Sequence, residues 1–343
     1  MKIGIVGYQG SGKSSLFEWL TGVAADPAKA HQSQVAMAPV IDPRVADLCE
    51  IYDPKKVSHA SLELVDTPGL SHSHEGNPAR LGLIREAGCL VVVVAAFDGS
   101  NPAAELSRFQ EDLLLADLEI VSGRVERLRE SVKKPRPTRE AEMAELAALE
   151  PLVTALESGR PLTELTLADE QQRATRSFRL LTEKPRLVVV NVADDESEPE
   201  RHAAAASEWA TEVIAAPVGL QLELARLSDD DRAEMIQEMD LTLYDRQDIL
   251  RAILRASGQM LFFTAGEKEV RTWLLPQGGT AVEAAGTIHT DLARGFIRAE
   301  IMSCVDLTRL GSERDVKAAG LARQEPKDYV IQDGDTLNIK FSV

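Results

Sequence analysis

The sequence predicts an α/β fold with a mostly parallel sheet, interrupted by an antiparallel helical hairpin and closed by a small α+β domain. Three observations predict it. Apolar runs at Ile3–Val6, Leu90–Ala96 and Leu187–Asn191 have the character of strands covered on both faces. Between the last two of these lie nearly ninety residues with helical periodicity. Beyond about Leu261 the pattern changes to short strands separated by turns.

The first apolar run leads into GYQGSGKSS, residues 7 to 15, and then into the helix-like SSLFEWLTG. Gly7, four residues, Gly12, Lys13 and Ser14 form the pattern G-x-x-x-x-G-K-S, set between a strand and a helix as a phosphate-binding loop requires. The glycines let backbone N–H groups of Gln9, Gly10, Ser11, Gly12 and Ser15 turn toward a β-phosphate. A helix beginning near Lys13 adds its positive end, and the Lys13 ammonium reaches the β- and γ-phosphates. Ser14 supplies a hydroxyl to Mg²⁺. The competing reading is a Gly-rich turn with a surface lysine, which does not account for the full spacing.

Residues 23 to 44, with three prolines, read as an irregular loop of functional length. A strand at Ser61–Val65 then ends in Asp66-Thr67-Pro68-Gly69. Taken alone this is ordinary turn chemistry. After a strand and downstream of the Lys13 loop it is the D-x-x-G element of nucleotide switches, with Asp66 toward Mg²⁺ and the Gly69 N–H toward the γ-phosphate. The next residue is Leu70, which cannot orient an attacking water. His72 and His74 follow in the expected mobile segment, either as groups assisting proton transfer or as solvated loop residues.

In the helical stretch, Leu114, Leu118, Val121, Val125, Leu128 and Val132 are spaced 4, 3, 4, 3, 4 as a heptad seam. Lys133-Lys134-Pro135-Arg136-Pro137 breaks it, and Leu146, Leu149, Val153 and Leu156 resume it, which makes an antiparallel hairpin. Its purpose reads equally as structural or as a partner-docking arm. After LVVV, Asn191-Val192-Ala193-Asp194 falls where N-K-x-D reads a purine base. Val192 stands in place of the lysine, and the string is also compatible with a plain turn.

Lys and Arg number 38 against 55 Asp and Glu, a formal charge of −17, which argues against a general nucleic-acid coat; DNA is not an expected partner. The longest apolar run, Leu90–Phe97, is too short to cross a bilayer, so the expected location is the cytoplasm with no membrane partner. Cys49, Cys89 and Cys304 lie far apart and suggest neither zinc nor a disulfide framework.

The three nucleotide elements in this order, the helical insertion and the final domain resemble the Obg-like ATPase family of YchF type. The resemblance is most specific in LFFTAGEKEVRTWLLPQGGTAVEAAGTIHTDLARGFIRAEIM and KDYVIQDGD, which look like that family's TGS-type, ubiquitin-like domain. DPRVADLCEIYDPKK, LADLEIVSGRVERL and LLTEKPRLVVVNVADDE are similar to further family segments. The resemblance implies hydrolysis of ATP more often than GTP, association with ribosomes or RNA through the insertion and final domain, and an apolar residue where Leu70 stands. Departures are visible too. Gln9-Gly10-Ser11 replaces Pro-Asn-Val, and residues 28 to 41 hold no threonine, Ser33 being the nearby hydroxyl. Asp194 replaces a glutamate, and Val218-Gly219 replaces an Ala-Lys loop.

The expected organisation is a nucleotide-binding domain at residues 1–100 and 183–258, a helical insertion at 101–182 and a TGS-type domain at 259–343. Two functional readings follow: a slow Mg²⁺-dependent NTPase switch with catalytic roles for Lys13 and Gly69, or a nucleotide-dependent binding module with little or no hydrolysis.

Overall fold

A computed structural model describes residues 1–97, 99–196, 198–206, 210, 212–239 and 244–342. The chain divides into two compact units, one of Met1–Ala36 with Glu63–Arg246, the other of Met37–Leu62 with Gln247–Val343. Its elements run β1 (Lys2–Val6), α1 (Lys13–Thr21), β2 (Gln34–Pro39), α2 (Arg44–Tyr52), β3 (Val57–Ser58), β4 (Ser61–Asp66), α3 (Asn77–Ile84) and β5 (Cys89–Ala95). Next come α4 (Pro102–Ser131), α5 (Arg139–Glu157), α6 (Asp169–Thr175), β6 (Arg186–Asn191), α7 (Pro199–Ala206), β7 (Val213–Ala216), α8 (Val218–Arg226) and α9 (Asp229–Met239). The chain continues with α10 (Arg246–Ala256), β8 (Gln259–Thr264), β9 (Val270–Pro276), α11 (Ala281–Ile288), α12 (Thr290–Arg294) and β10 (Phe296–Ser303). It ends with α13 (Cys304–Leu310), α14 (Glu313–Ala318), β11 (Arg323–Glu325) and β12 (Asp335–Phe341).

The first sheet has the order β2-β4-β1-β5-β6-β7, and β4 through β7 pair in parallel. Strand β5 is buried along six of its seven residues, which explains its unbroken run of apolar side chains. The parallel strands β4, β1, β5 and β6 therefore end at one edge, where the loops after them converge. The stretch 23 to 44 is less irregular than its prolines suggest: Gln34–Pro39 forms β2, with alternating burial from Val35 to Pro39.

Helix α4 starts at Pro102 behind Asn101, whose side-chain oxygen accepts from the N–H of Ala103 at 3.1 Å and of Ala104 at 3.3 Å. It runs 30 residues, or about 45 Å. Helix α5 returns against it, and Leu114, Val121, Val125, Leu128, Leu149, Leu152 and Leu156 form a buried seam. Leu118, Leu146 and Val153 flank that seam half-buried, and the helix ends before Val132. The hairpin belongs to the same unit as the phosphate loop.

The second unit contains a sheet of order β11-β10-β12-β8-β9-β3. Its core holds Met260, Phe262, Leu275, Ala284, Ile301 and Leu337. Sequence reading assigned residues 37–62 and 247–258 to the nucleotide-binding domain, whereas both belong to this second unit. The physical reason is pairing: β3 lies parallel to β9, with Val57 opposite Val270. Among the described residues, no helix is long and apolar enough to cross a membrane.

Candidate functional site

Strand β1 ends at Val6, and the chain turns through Gly7–Gly12 into α1. Gly12 stands just before the helix with φ of 96°, and a Cβ there would lie 2.3 Å from Asn191 Nδ2. Only glycine satisfies both the backbone and that approach. Lys13 opens α1 at 6% exposure, its ammonium donating to the Tyr8 carbonyl. Burial pushes its pKa down to about 8, against a smaller opposing pull from Asp66.

Asp66 ends β4, which pairs with β1 so that Asp66 stands opposite Ile5. Ser14 donates its hydroxyl to Asp66 Oδ2 at 2.7 Å. The other oxygen, Oδ1, is buried with no hydrogen-bond partner among the described residues. Burial raises the Asp66 carboxyl above its ordinary range, opposed by the Ser14 hydrogen bond and by Lys13. A buried carboxylate oxygen with no donor, beside a serine hydroxyl, offers the oxygen ligands that a hard divalent cation takes.

The Asp66–Gly69 turn is fastened to the phosphate loop. Thr67 donates through its hydroxyl to the Ile5 carbonyl at 2.8 Å. The Leu70 N–H donates to Gly7 O at 3.0 Å, and the Gln9 N–H donates to Leu70 O at 2.9 Å. A Cβ on Gly69 would sit 2.7 Å from Lys13 Nζ, so this residue is in direct contact with the loop lysine. Leu70 itself is fully buried, in the core with Val6 and Leu81.

Two clefts flank the loop. One, of about 430 Å³, is lined by Gln9, Lys13, Ser14, Asp66, Gly69 and Arg80, with Asp26, His31 and Gln32 from the segment before β2 and Gln34 at its start closing it. The other, of about 550 Å³, is bordered by Gly10, Gly12, Ser15, Asn191, Val192 and Asp194. The sequence-predicted residues thus fall around one continuous loop, Gly10 being common to both clefts.

Several predicted residues behave differently from expectation. Asn191 is a brace: its Nδ2 donates to Ser11 O at 3.2 Å, and its Oδ1 accepts from the Val218 N–H at 3.0 Å. Asp194 Oδ1 accepts from the Leu220 N–H at 3.3 Å. Val192 is 2% exposed and packs in the core, so its side chain cannot cover a purine face as a lysine stem would. Ser11 Oγ is buried with no hydrogen-bond partner among the described residues.

His72 and His74 are engaged with α4. The His72 ring stacks on Tyr8 at 4.1 Å between centroids and approaches Glu105 at 3.6 Å. His74 Nδ1 is 3.2 Å from Asp112 Oδ1, while Asp112 Oδ2 accepts the Tyr8 hydroxyl at 2.8 Å. Burial, together with Asp112, pushes the Tyr8 phenol up. Sequence reading missed Tyr8, Asp112 and Arg80; the signal for Asp112 was an acidic residue on the same helical stripe as Phe109 and Leu113.

A family model described as 50S ribosome-binding GTPase matches residues 2–122. The model of the YchF-type GTPase C-terminal domain, described as a protein of unknown function, matches residues 260–342. The ribosome-binding ATPase YchF of Escherichia coli O157:H7 is 34% identical, over 100% of this chain and 99% of the relative. The chain belongs to the YchF family. The protein of the same name from Bacillus subtilis (strain 168) is 33% identical over 99% of each. Among solved structures, the Schizosaccharomyces pombe YchF GTPase superposes with a TM-score of 0.82 at 27% identity, covering 99% of this chain and 97% of that one. The α/β nucleotide-binding fold with a distinct C-terminal domain is therefore a YchF-family architecture, and the chain is a P-loop NTPase.

Proposed function

We propose that the chain binds a purine nucleoside triphosphate with Mg²⁺ and hydrolyses it slowly as a conformational switch. The observation that carries this reading is the unpartnered Asp66 Oδ1 beside the Ser14 hydroxyl, at the head of a helix whose first residue is a buried lysine. In this reading the amides of Gly7, Gly10, Ser11, Gly12 and Ser15 cradle the phosphates, the Gln9 N–H being taken by Leu70 O. Lys13 neutralises the β- and γ-phosphates, and the Gly69 N–H donates to the γ-phosphate. Ser14 and Asp66 hold Mg²⁺, which when bound offsets the charge that develops on the phosphate oxygens. The segments bearing His31 to Gln34 and Asp66 to Arg80 line the same cleft and are the parts that a γ-phosphate would order.

Asn191, Val192 and Asp194 border the base side. With one Asp194 oxygen already accepting a backbone N–H and Val192 turned inward, base selection is weak, and ATP and GTP affinities lie within about tenfold. The relatives' names point both ways, ribosome-binding ATPase in bacteria and GTPase in the fission yeast. By kinship with the former, the chain works on ribosomes in the cytoplasm.

Phosphate release from the purified protein with Mg²⁺ and either ATP or GTP tests the proposal, with Lys13→Ala as the control. The variant is expected to lose binding of a fluorescent triphosphate analogue by about 10- to 150-fold, the value of one charge-assisted contact. Unchanged affinity in Lys13→Ala sinks the phosphate-loop assignment. Tight binding without phosphate release leaves the nucleotide-dependent binding module as the function.

A further inference from the structure

Hydrolysis needs a group that holds a water in line with the γ-phosphate, and Leu70, fully buried in the core, cannot be that group. The polar side chains around the phosphate cleft differ in how free they are. Gln34 is committed to Asp26, accepting from its N–H at 2.7 Å and donating to its carbonyl at 3.1 Å. Arg80 donates to Glu75 O at 3.2 Å and Asn77 Oδ1 at 3.4 Å. Gln32 and His31 are exposed on the segment before β2.

Gln9 is different. Its side chain is exposed at the cleft, and among the described residues its amide has no hydrogen-bond partner. Its backbone, by contrast, is held firmly. The Gln9 N–H donates to Leu70 O at 2.9 Å, and a Cβ on Gly69 would lie 2.8 Å from Gln9 N and 3.0 Å from Gln9 Cα. A free amide therefore rises from the phosphate loop at the point where that loop touches Gly69, beside Lys13 Nζ. Side-chain amides are suited to water positioning because one end accepts a hydrogen bond and the other donates one.

We propose that Gln9 is the catalytic amide that orients the hydrolytic water, taking from the phosphate loop the role that Leu70 cannot fill. The proposal rests on the hydrolysis reading above. Gln9 Oε1 accepts one O–H of the water while Nε2 donates to a γ-phosphate oxygen. The water oxygen forms the new bond to the γ-phosphorus as the bond from that phosphorus to the β,γ-bridging oxygen breaks. The bridging electron pair leaves with the nucleoside diphosphate, and the water's proton passes to the released phosphate.

The test compares wild type with Gln9→Ala in three measurements: phosphate release under saturating nucleotide, affinity for a non-hydrolysable triphosphate analogue, and retention of nucleoside diphosphate with aluminium fluoride. Expected are a fall in kcat of about 10- to 100-fold, analogue affinity within about threefold of wild type, and loss of the aluminium fluoride complex with diphosphate binding kept. A structural role would lower analogue affinity together with kcat, and that result overturns the proposal. So does a Gln9→Ala variant with wild-type kcat, which leaves the hydrolysis reading standing. Wild-type protein that binds the analogue but releases no phosphate overturns both.

Discussion

Lys13 is placed under opposing demands: burial favours its neutral form, whereas a triphosphate favours the ammonium. Its pKa in the folded protein is about 8, down from 10.5. Between those values the unfolded chain binds a proton that the nucleotide-free folded chain does not, so stability without nucleotide rises with pH across that window. Triphosphate binding has the opposite sign. Affinity is at its full value below about pH 8 and falls above it, approaching tenfold per pH unit until the bound lysine itself titrates. Titrating a fluorescent analogue at pH 7, 8 and 9.5 measures this, and Lys13→Ala should be flat over the same range. A wild-type affinity that does not move between pH 8 and 9.5 would show that Lys13 stays charged throughout or does not face the phosphates. The loop around Lys13 was legible in the sequence because its chemistry lies within nine consecutive residues. The Asn191 brace and the buried Val192 were not, since they depend on where β6 and β7 end in space.

At the scale of elements, the helical hairpin was readable from heptad spacing alone, and its seam packs largely as that spacing implies. What ties it to the sheet was not readable. Asp117 lies on α4, fully buried. It accepts from Arg85 at 2.6 Å, from the N–H groups of Leu181 and Thr182 at 3.0 and 2.8 Å, and from the Thr182 hydroxyl at 2.9 Å. Its partners come from the end of α3 and from the approach to β6, over sixty residues away in the latter case, so no local pattern marks it. Removing the carboxylate leaves two buried backbone donors unpaired and breaks the ion pair of Arg85, which keeps only the Ala116 and Arg179 carbonyls. Asp117→Ala is therefore expected to cost about 3–5 kcal/mol in urea unfolding. Glu150→Ala breaks the exposed pair with Arg129 on the same hairpin and is expected to cost under about 1 kcal/mol. Equal, small losses for the two variants would mean that Asp117 is not the anchor.

At the scale of the molecule, residues far apart in the chain fold together in each of the two units. Sequence reading placed the final domain at 259–343 because the strand-and-turn pattern begins there. It assigned the segment DPRVADLCEIYDPKK to the nucleotide-binding part, within residues 1–100. Long-range pairing decides otherwise. Tyr52 donates to Glu313 at 3.0 Å, the Ala60 N–H to Thr272 Oγ1 at 2.7 Å, and the Lys55 N–H to Glu267 O at 3.0 Å. Arg44 joins Asp42 at 2.8 Å to Asp333 at 2.7 Å and lies over the Phe263 ring at 5.1 Å. Residues 37–62 should accordingly open and close with 247–342 as one cooperative body. Arg44→Ala removes the cation from between two carboxylates, Asp42 being buried, a loss of about 1.5–3 kcal/mol. If the amides of Lys55, Ala60 and Val270 exchange through opening of that body, hydrogen exchange in the intact variant should quicken at all three by about 10- to 150-fold. Amides of β5 and β6, which belong to the other unit, should exchange at wild-type rates. Acceleration at Lys55 and Ala60 with Val270 unchanged would separate 37–62 from the C-terminal unit, and acceleration of β5 and β6 to the same degree would make the whole chain one cooperative body.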